Sequence, residues 1–179
     1  MEIRLIGCPD EGDWMEVKRR ALVTAGLTPK NAPDAEWKHN ILRAAHSPIR
    51  YLRYSFFLEG IPYWVAMHIR THVHACPNGD EFAPYIRTQR DDRQDKYERG
   101  KAPQDQPVNF MRDLSAEQLI TRAPKRLCRT ASPETQGVVK AMCNLAQDVT
   151  PEFDGLLVPM CEWLHGCPEM NGGCGYYGK

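Results

Sequence analysis

The run YSFFLEGIPYWVAMHIRTHVHA, Tyr54–Ala75, decides the fold. It opens as a strand: Leu52, Tyr54, Phe56 and Leu58 alternate with Arg53, Ser55 and Glu59, the period of two that a half-buried extended segment shows. Gly60 is expected to break that strand. Pro62 then sits where a first helical turn tolerates proline, since the N–H it lacks would have had no intrahelical partner. Ile61, Val65, Ile69 and Val73 follow as an apolar stripe at helical spacing, with His68 and His72 one turn apart on a neighbouring line. A strand feeding a helix that carries His68, Arg70, His72 and His74 brings polar chemistry to a buried joint, and that joint is the candidate site.

Working outward, Met1–Ile6 alternates as a short strand. Asp13 with Glu16 reads as a capping box ahead of a helix Trp14–Ala25 that buries Trp14, Val17, Ala21 and Ala25 and stops at Gly26. A second helix, Ala35–Ala45, turns Trp37, Ile41 and Ala45 inward. Beyond the central run, Phe82–Ile86 reads as extended. Arg87–Lys101 is dense in both signs of charge, and Ala102–Val108 reads as a linker or exposed loop. Ser115 with Gln118 is a second capping box, opening a helix to about Cys128 with an irregularity at Pro124. Ser132-Pro133-Glu134 starts another helix with cap, N1 proline and first-turn acid in order; Val138, Met142, Leu145 and Val149 form its stripe. Thr150-Pro151-Glu152 opens a further turn. The elements add up to one α/β domain over residues 1–158, a helix-flanked sheet, followed by a Cys/Gly-rich tail over 159–179 without helical period.

The chain has 179 residues, enough for one domain with a sizeable core. Lys+Arg and Asp+Glu both number 23, so no global field attracts nucleic acid or an anionic membrane. No run approaches the roughly 18 apolar residues of a membrane span. The N-terminus lacks the basic start and apolar core of a signal peptide, and the seven cysteines are an odd count at irregular spacing. The expectation is a reduced, cytoplasmic protein.

Several constellations bear on function. His68 and His72 at i, i+4 can share one metal ion, with His74 and Cys76 close behind; equally they can be hydrogen-bonded or ligand-contacting residues. Arg87, Arg90 and Arg126 are phosphate candidates, because a guanidinium offers a planar charged fork. Against that stand an ion pair of Arg90 with Asp91, Asp92 or Asp95, and a solvated basic face for Arg126 with Lys125 and Arg129. Glu134 is explained by the helix dipole, and Gln136 carries the donor–acceptor pair a uracil edge needs. In the tail, Cys161, His165, Cys167 and Cys174 suggest a zinc site, with Cys8 as another possible fourth ligand; buried thiols or one local disulfide fit the same spacing. Tyr51, Tyr54, Phe56, Phe57, Tyr63 and Trp64 concentrate around the joint, mostly as core, with one or two available to line a flat pocket.

SPIRYLRYSFFLEG, Ser47–Gly60, resembles the serine-proline, phenylalanine-rich strand and Glu-Gly turn of the flavin-dependent thymidylate synthases, and the helix after it occupies the place of their motif helix. Thr88-Gln89-Arg90 resembles the end of the family's long signature, a serine and an arginine separated by one residue. KRLCRTASPETQ, Lys125–Gln136, resembles a later segment in which an arginine is followed eight residues on by a glutamate, a spacing Arg126 and Glu134 keep. The similarity is scattered over residues 40–160. The chain also departs from the pattern: the family's Arg-His-Arg reads Thr71-His72-Val73 here, its Glu-His reads Arg50-Tyr51, and Cys76–Pro84 lengthens the connection to Arg90.

The resemblance implies a central, mostly antiparallel sheet and reductive methylation of deoxyuridine monophosphate (dUMP) to dTMP. Methylenetetrahydrofolate would give the carbon, and FAD reduced by NADPH the hydride. It implies that Arg87, Thr88, Arg90, Arg126 and Gln136 hold the nucleotide, that His68, Arg70, His72, His74 and Glu134 face the cofactor, and that sites form between subunits of a homotetramer. The missing motif arginines keep two other readings open. One is a protein of the same fold that binds another pyrimidine nucleotide; the other is a zinc-dependent hydrolase or binding module built on His68/His72 or the cysteine tail.

Overall fold

A computed structural model describes residues 1–70, 85–87 and 99–177, with only the backbone path for 85–87 and 99. Its centre is a four-stranded sheet, every pairing antiparallel. Strand β2, Arg53–Pro62, lies between β1, Glu2–Gly7, and β4, Pro107–Ser115; β3, Tyr85–Arg87, pairs with the far edge of β4. The expected mixed α/β class with a largely antiparallel sheet is the one observed.

The alternation in β2 works as expected: Tyr54, Phe56, Leu58 and Ile61 are buried, while Arg53, Ser55 and Phe57 face the other side. Gly60 behaves differently from expectation. It does not end the strand but bulges it, at φ +65°, with the register shifting between Leu58 and Ile61 and its N–H donating to Asn109 Oδ1 at 3.2 Å. Glycine takes that left-handed geometry without a Cβ penalty, and a bulge re-aims a strand rather than stopping it. Pro62 therefore closes β2, and helix α3 runs from Tyr63 to Arg70.

The remaining helices cover one face of the sheet. Helix α1, Glu11–Val23, starts three residues earlier than expected: Asp10 and Asp13 bond reciprocally to each other's backbone N–H, so Asp10 rather than Asp13 is the N-cap. Helix α2 spans Ala35–Arg43 and buries Ile41 and Leu42. A 3-10 turn, Ser47–Tyr51, leads into β2. Helix α4, Ala116–Arg126, carries the expected Ser115/Gln118 capping box and passes through Pro124 without a break. Proline so near the end forfeits one helical bond and little else.

Helix α5, Pro133–Val149, buries Thr135, Val138, Met142, Cys143 and Ala146, a stripe turned from the expected one so that Val149 is left exposed. A 3-10 turn Pro151–Phe153 and the one-turn helix α6, Met160–Trp163, complete the path. No helix among the described residues is long and apolar enough to cross a membrane.

The core lies between β2, β4 and the helices. Tyr54 is completely buried, its hydroxyl 2.8 Å from Thr150 Oγ1 and its ring tilted against Phe153 at 5.5 Å. Burial pushes the Tyr54 phenol far above its usual range, as a charge there would have no water. The opposite sheet face is the less covered one. Arg4, Phe57 and Met111 stand abreast on it, with Met111 exposed and Arg4 over the Phe57 ring at 4.9 Å.

Candidate functional site

Three helices meet at one corner of the covered face: the last turn of α3, the C-terminal two turns of α4 and the middle of α5. Ile69 from α3, Arg122 and Arg126 from α4, and Val139, Met142 and Cys143 from α5 line a narrow recess of about 30 Å³. Arg122 and Arg126 are one turn apart, so both guanidinium groups rise on the face that also carries Leu119 and Ala123. Arg126 Nε is buried and has no hydrogen-bond partner among the described residues. Burial alone pulls its pKa below the ordinary guanidinium value. A charge kept in an apolar recess is costly unless something anionic arrives to meet it.

His68 joins the same corner. Its Nδ1 lies 3.3 Å from Thr135 Oγ1, and Ser132 Oγ donates to that same Thr135 oxygen at 2.8 Å. The Thr135 hydroxyl can donate to His68 Nδ1 or accept from it, so this contact fixes the position of the ring and leaves both tautomers open. Trp64 packs edge-on against the imidazole at 5.2 Å. The Ser132 hydroxyl, expected to cap α5, is thus turned to Thr135, and no side-chain cap bond forms. Gln136 points back across the corner, its Nε2 donating to the Leu127 and Cys128 carbonyls at 3.2 and 2.9 Å. This satisfies the free carbonyls at the end of α4 and leaves the amide oxygen for any other contact.

Of the sequence candidates, Arg126 lines the recess, His68 contacts Thr135 in the first turn of α5, Gln136 reaches the end of α4, and Glu134 is exposed in the first turn of α5. Arg70 is exposed at the end of α3. Arg87 ends β3 opposite Asn109. His72, His74, Thr88 and Arg90 lie outside the described residues. Two buried arginines escaped sequence reasoning. Arg122 lines the recess, and Arg112 is buried completely on the core face of β4 opposite Phe56. The period of two in β4 places Arg112 with Phe110 and Leu114, and that was a readable signal.

A second concavity opens on the other side of β2. It is a wide cleft of about 940 Å³ between α1, the Ser47–Tyr51 turn and the start of β2, lined among others by Arg20, Ser47, Arg50, Arg53 and Ser55. Arg20 stacks over the Tyr51 ring at 4.8 Å and pairs with Glu16 at 3.0 Å. Arg50 forks onto Glu117 through Nε at 2.6 Å and Nη2 at 3.0 Å, a bidentate pair that fixes the turn to the start of α4.

In the tail, Cys161 is buried, and Cys167 and Cys174 are exposed. Burial raises the Cys161 thiol, and nearby Cys128 and Cys167 raise it further. His165 sits on a turn at φ +50°. No group of three His, Cys, Asp or Glu side chains among the described residues is arranged to hold a metal ion.

No protein-family model and no curated sequence matches the chain. Solved structures do. Thymidylate synthase X (ThyX) from Helicobacter pylori, crystallised with FAD and dUMP, superposes with a TM-score of 0.62 at 12% identity, covering 88% of this chain and 99% of that one. A second crystal structure of the flavin-dependent enzyme from the same organism, also with FAD and dUMP, gives the same TM-score and identity over 88% and 100% of the two chains. At that identity the likeness establishes the fold.

Proposed function

We propose that this chain is a flavin-dependent thymidylate synthase-like enzyme that converts dUMP to dTMP, with methylenetetrahydrofolate as carbon donor and NADPH as reductant. The observation that carries the reading is the Arg126 guanidinium at the three-helix corner, buried at Nε without a partner among the described residues, in a fold shared over 88% of this chain with proteins crystallised with FAD and dUMP. A half-buried guanidinium with its Nε unmet suits a phosphate, whose oxygens accept the hydrogen bonds that burial removed.

The residues present also fit a flavin. The cleft beside β2 has the volume of a ligand site, and Arg53, Ser47 and Ser55 bring to it a charge and hydroxyls for a diphosphate and ring edge. When bound, the flavin would supply hydride chemistry that no side chain can perform. The chain's own part is positioning. Arg126, joined by Arg90 and Arg87, would clamp the nucleotide phosphate; His68, held in place by Thr135, would face the cofactor; the Gln136 amide oxygen would accept from a pyrimidine N–H. Arg70, His72 and His74 would contribute to cofactor binding, and Thr88 to nucleotide binding. The working unit proposed is a homotetramer, a reading supported by the exposed Met111 beside the half-buried Phe57 on the outer sheet face.

The test is direct. Purified protein is expected to show an oxidised-flavin spectrum after incubation with FAD and to form dTMP from dUMP, methylenetetrahydrofolate and NADPH. R90A and R126A are expected to weaken dUMP binding. A colourless protein that binds neither FAD nor dUMP overturns the proposal.

A further inference from the structure

The thiols of the tail do not belong to the helix-end corner. Cys128 from the α4–α5 connection, Cys161 from α6, and Cys167 and Cys174 from the turns beyond it all line one cavity of about 400 Å³, bordered by Lys125, Arg129 and Tyr176. Residues 33 positions apart in sequence, Cys128 and Cys161, are brought there by the packing of α6 on α4. We propose that this cavity is a structural zinc site whose four ligands are Cys128, Cys161, Cys167 and Cys174, fastening the tail to the end of α4.

Four soft thiolates around one space are the donor set that tetrahedral Zn²⁺ takes. Two of them are fixed in advance. Cys161 is buried in α6, and Cys128 follows the α4 C-cap Leu127, where Gln136 grips the Leu127 and Cys128 carbonyls. The other two are exposed on turns built from Gly172, Gly173 and Gly175, all at positive φ. Such turns admit the sharp reversals a ligand loop needs. In the present conformation the four sulfurs share the cavity without converging on a point, so binding would draw Cys167 and Cys174 inward.

The surroundings suit the charge. Each thiol gives its proton to solvent, and four thiolates on one Zn²⁺ leave an excess of negative charge that Lys125 and Arg129 stand ready to offset. Arg129 is held over the Tyr176 ring at 3.9 Å, and Tyr176 donates to Glu162 at 2.8 Å. Thr130 Oγ1 lies 3.1 Å from Cys128 Sγ, close enough to donate to that sulfur. At Gly173 a Cβ would come within 2.6 Å of Cys167 Sγ, so the backbone lies directly against that sulfur and no larger residue fits. Cohesion is otherwise scarce here: Leu164 and Met170 are exposed, and little apolar burial offsets the ordering of the tail. His165 does not line the cavity, so the proposal takes Cys128 in its place.

Full-length protein, purified reduced and without chelators from zinc-supplemented culture, is expected to carry one zinc per chain by elemental analysis. C128S is expected to lose it and H165A to keep it. Cobalt(II) added to the metal-free wild type is expected to give intense thiolate-to-metal charge-transfer bands with tetrahedral ligand-field absorption, a readout that stands even if C128S fails to fold. Metal-free protein that takes up neither zinc nor cobalt, a disulfide among the four cysteines in the reduced preparation, or zinc kept by C128S and lost by H165A would each overturn the proposal. Flavin and nucleotide binding are separate readouts, and their failure leaves it standing.

Discussion

The two ends of α4 receive opposite treatment. At the start, Ser115 and Gln118 exchange cap bonds, and Glu117 receives both arms of Arg50. At the finish, Arg126 lies against an apolar recess with its buried Nε unmet among the described residues, and Cys128 opens onto a cavity of thiols. Both ends carry charge and both are partly withdrawn from water, but at the finish Gln136 closes only the backbone carbonyls and leaves the Arg126 Nε unmet among the described residues. A completed polar cluster holds a fold together, whereas one left open with its charge in place points to a partner from outside the chain.

This contrast yields ordered expectations. The largest effect is on binding: R126M, which keeps the apolar stem, is expected to weaken dUMP by about 10–100-fold, the loss of a charged hydrogen bond worth about 1.5–3 kcal/mol. Its thermal midpoint is expected to hold or rise, because a desolvated charge has gone. S115A reverses the pattern, costing about 1 kcal/mol in chemical denaturation through the lost cap while dUMP affinity stays put. E117Q is expected to cost less, about 0.5 kcal/mol, since Arg50 is more than one-third exposed and water screens the pair.

The last expectation is confined to alkaline pH and reports how dry the recess is. Burial pushes the Cys143 thiol up to about 12 from 9.0. Between those values the folded state holds a proton that the unfolded state has released, so this contribution is complete below about pH 9 and disappears as the pH climbs towards 12. Tyr54 acts in the same direction at higher pH. Urea titrations from pH 8 to 11 are expected to show C143A losing stability less steeply than wild type. Equal slopes would mean that water reaches the recess.

Much of the fold was legible in the sequence because local signals agreed with global packing. The Leu52–Leu58 alternation became the core of β2, and the Ser115/Gln118 box and Pro133 marked the starts of α4 and α5 where expected. The misses have local causes. Asp10 outcompeted Asp13 as the cap of α1 because both carboxylates sit three apart and either can start a helix. Gly60 signalled a break, but its positive φ served a bulge instead. The α5 stripe rotated because Thr135 bonds His68 and Ser132 and is drawn inward with Val138.

The site was legible only in part. Arg126 looked like one of several basic residues beside Lys125 and Arg129, and its burial depends on α3 and α5 arriving from elsewhere in the chain. Cys128 could not be joined to the tail thiols by spacing, since only the packing of α6 brings them together.

The central claim is that the open end of α4 exists to meet a nucleotide phosphate. Calorimetric titration of dUMP into wild type and R126M, both with added FAD and at one fixed salt concentration, tests it most directly. The account expects measurable binding by the wild type and at least tenfold weaker binding by R126M, with unchanged circular dichroism. Equal affinities, or no binding by the wild type, would contradict it.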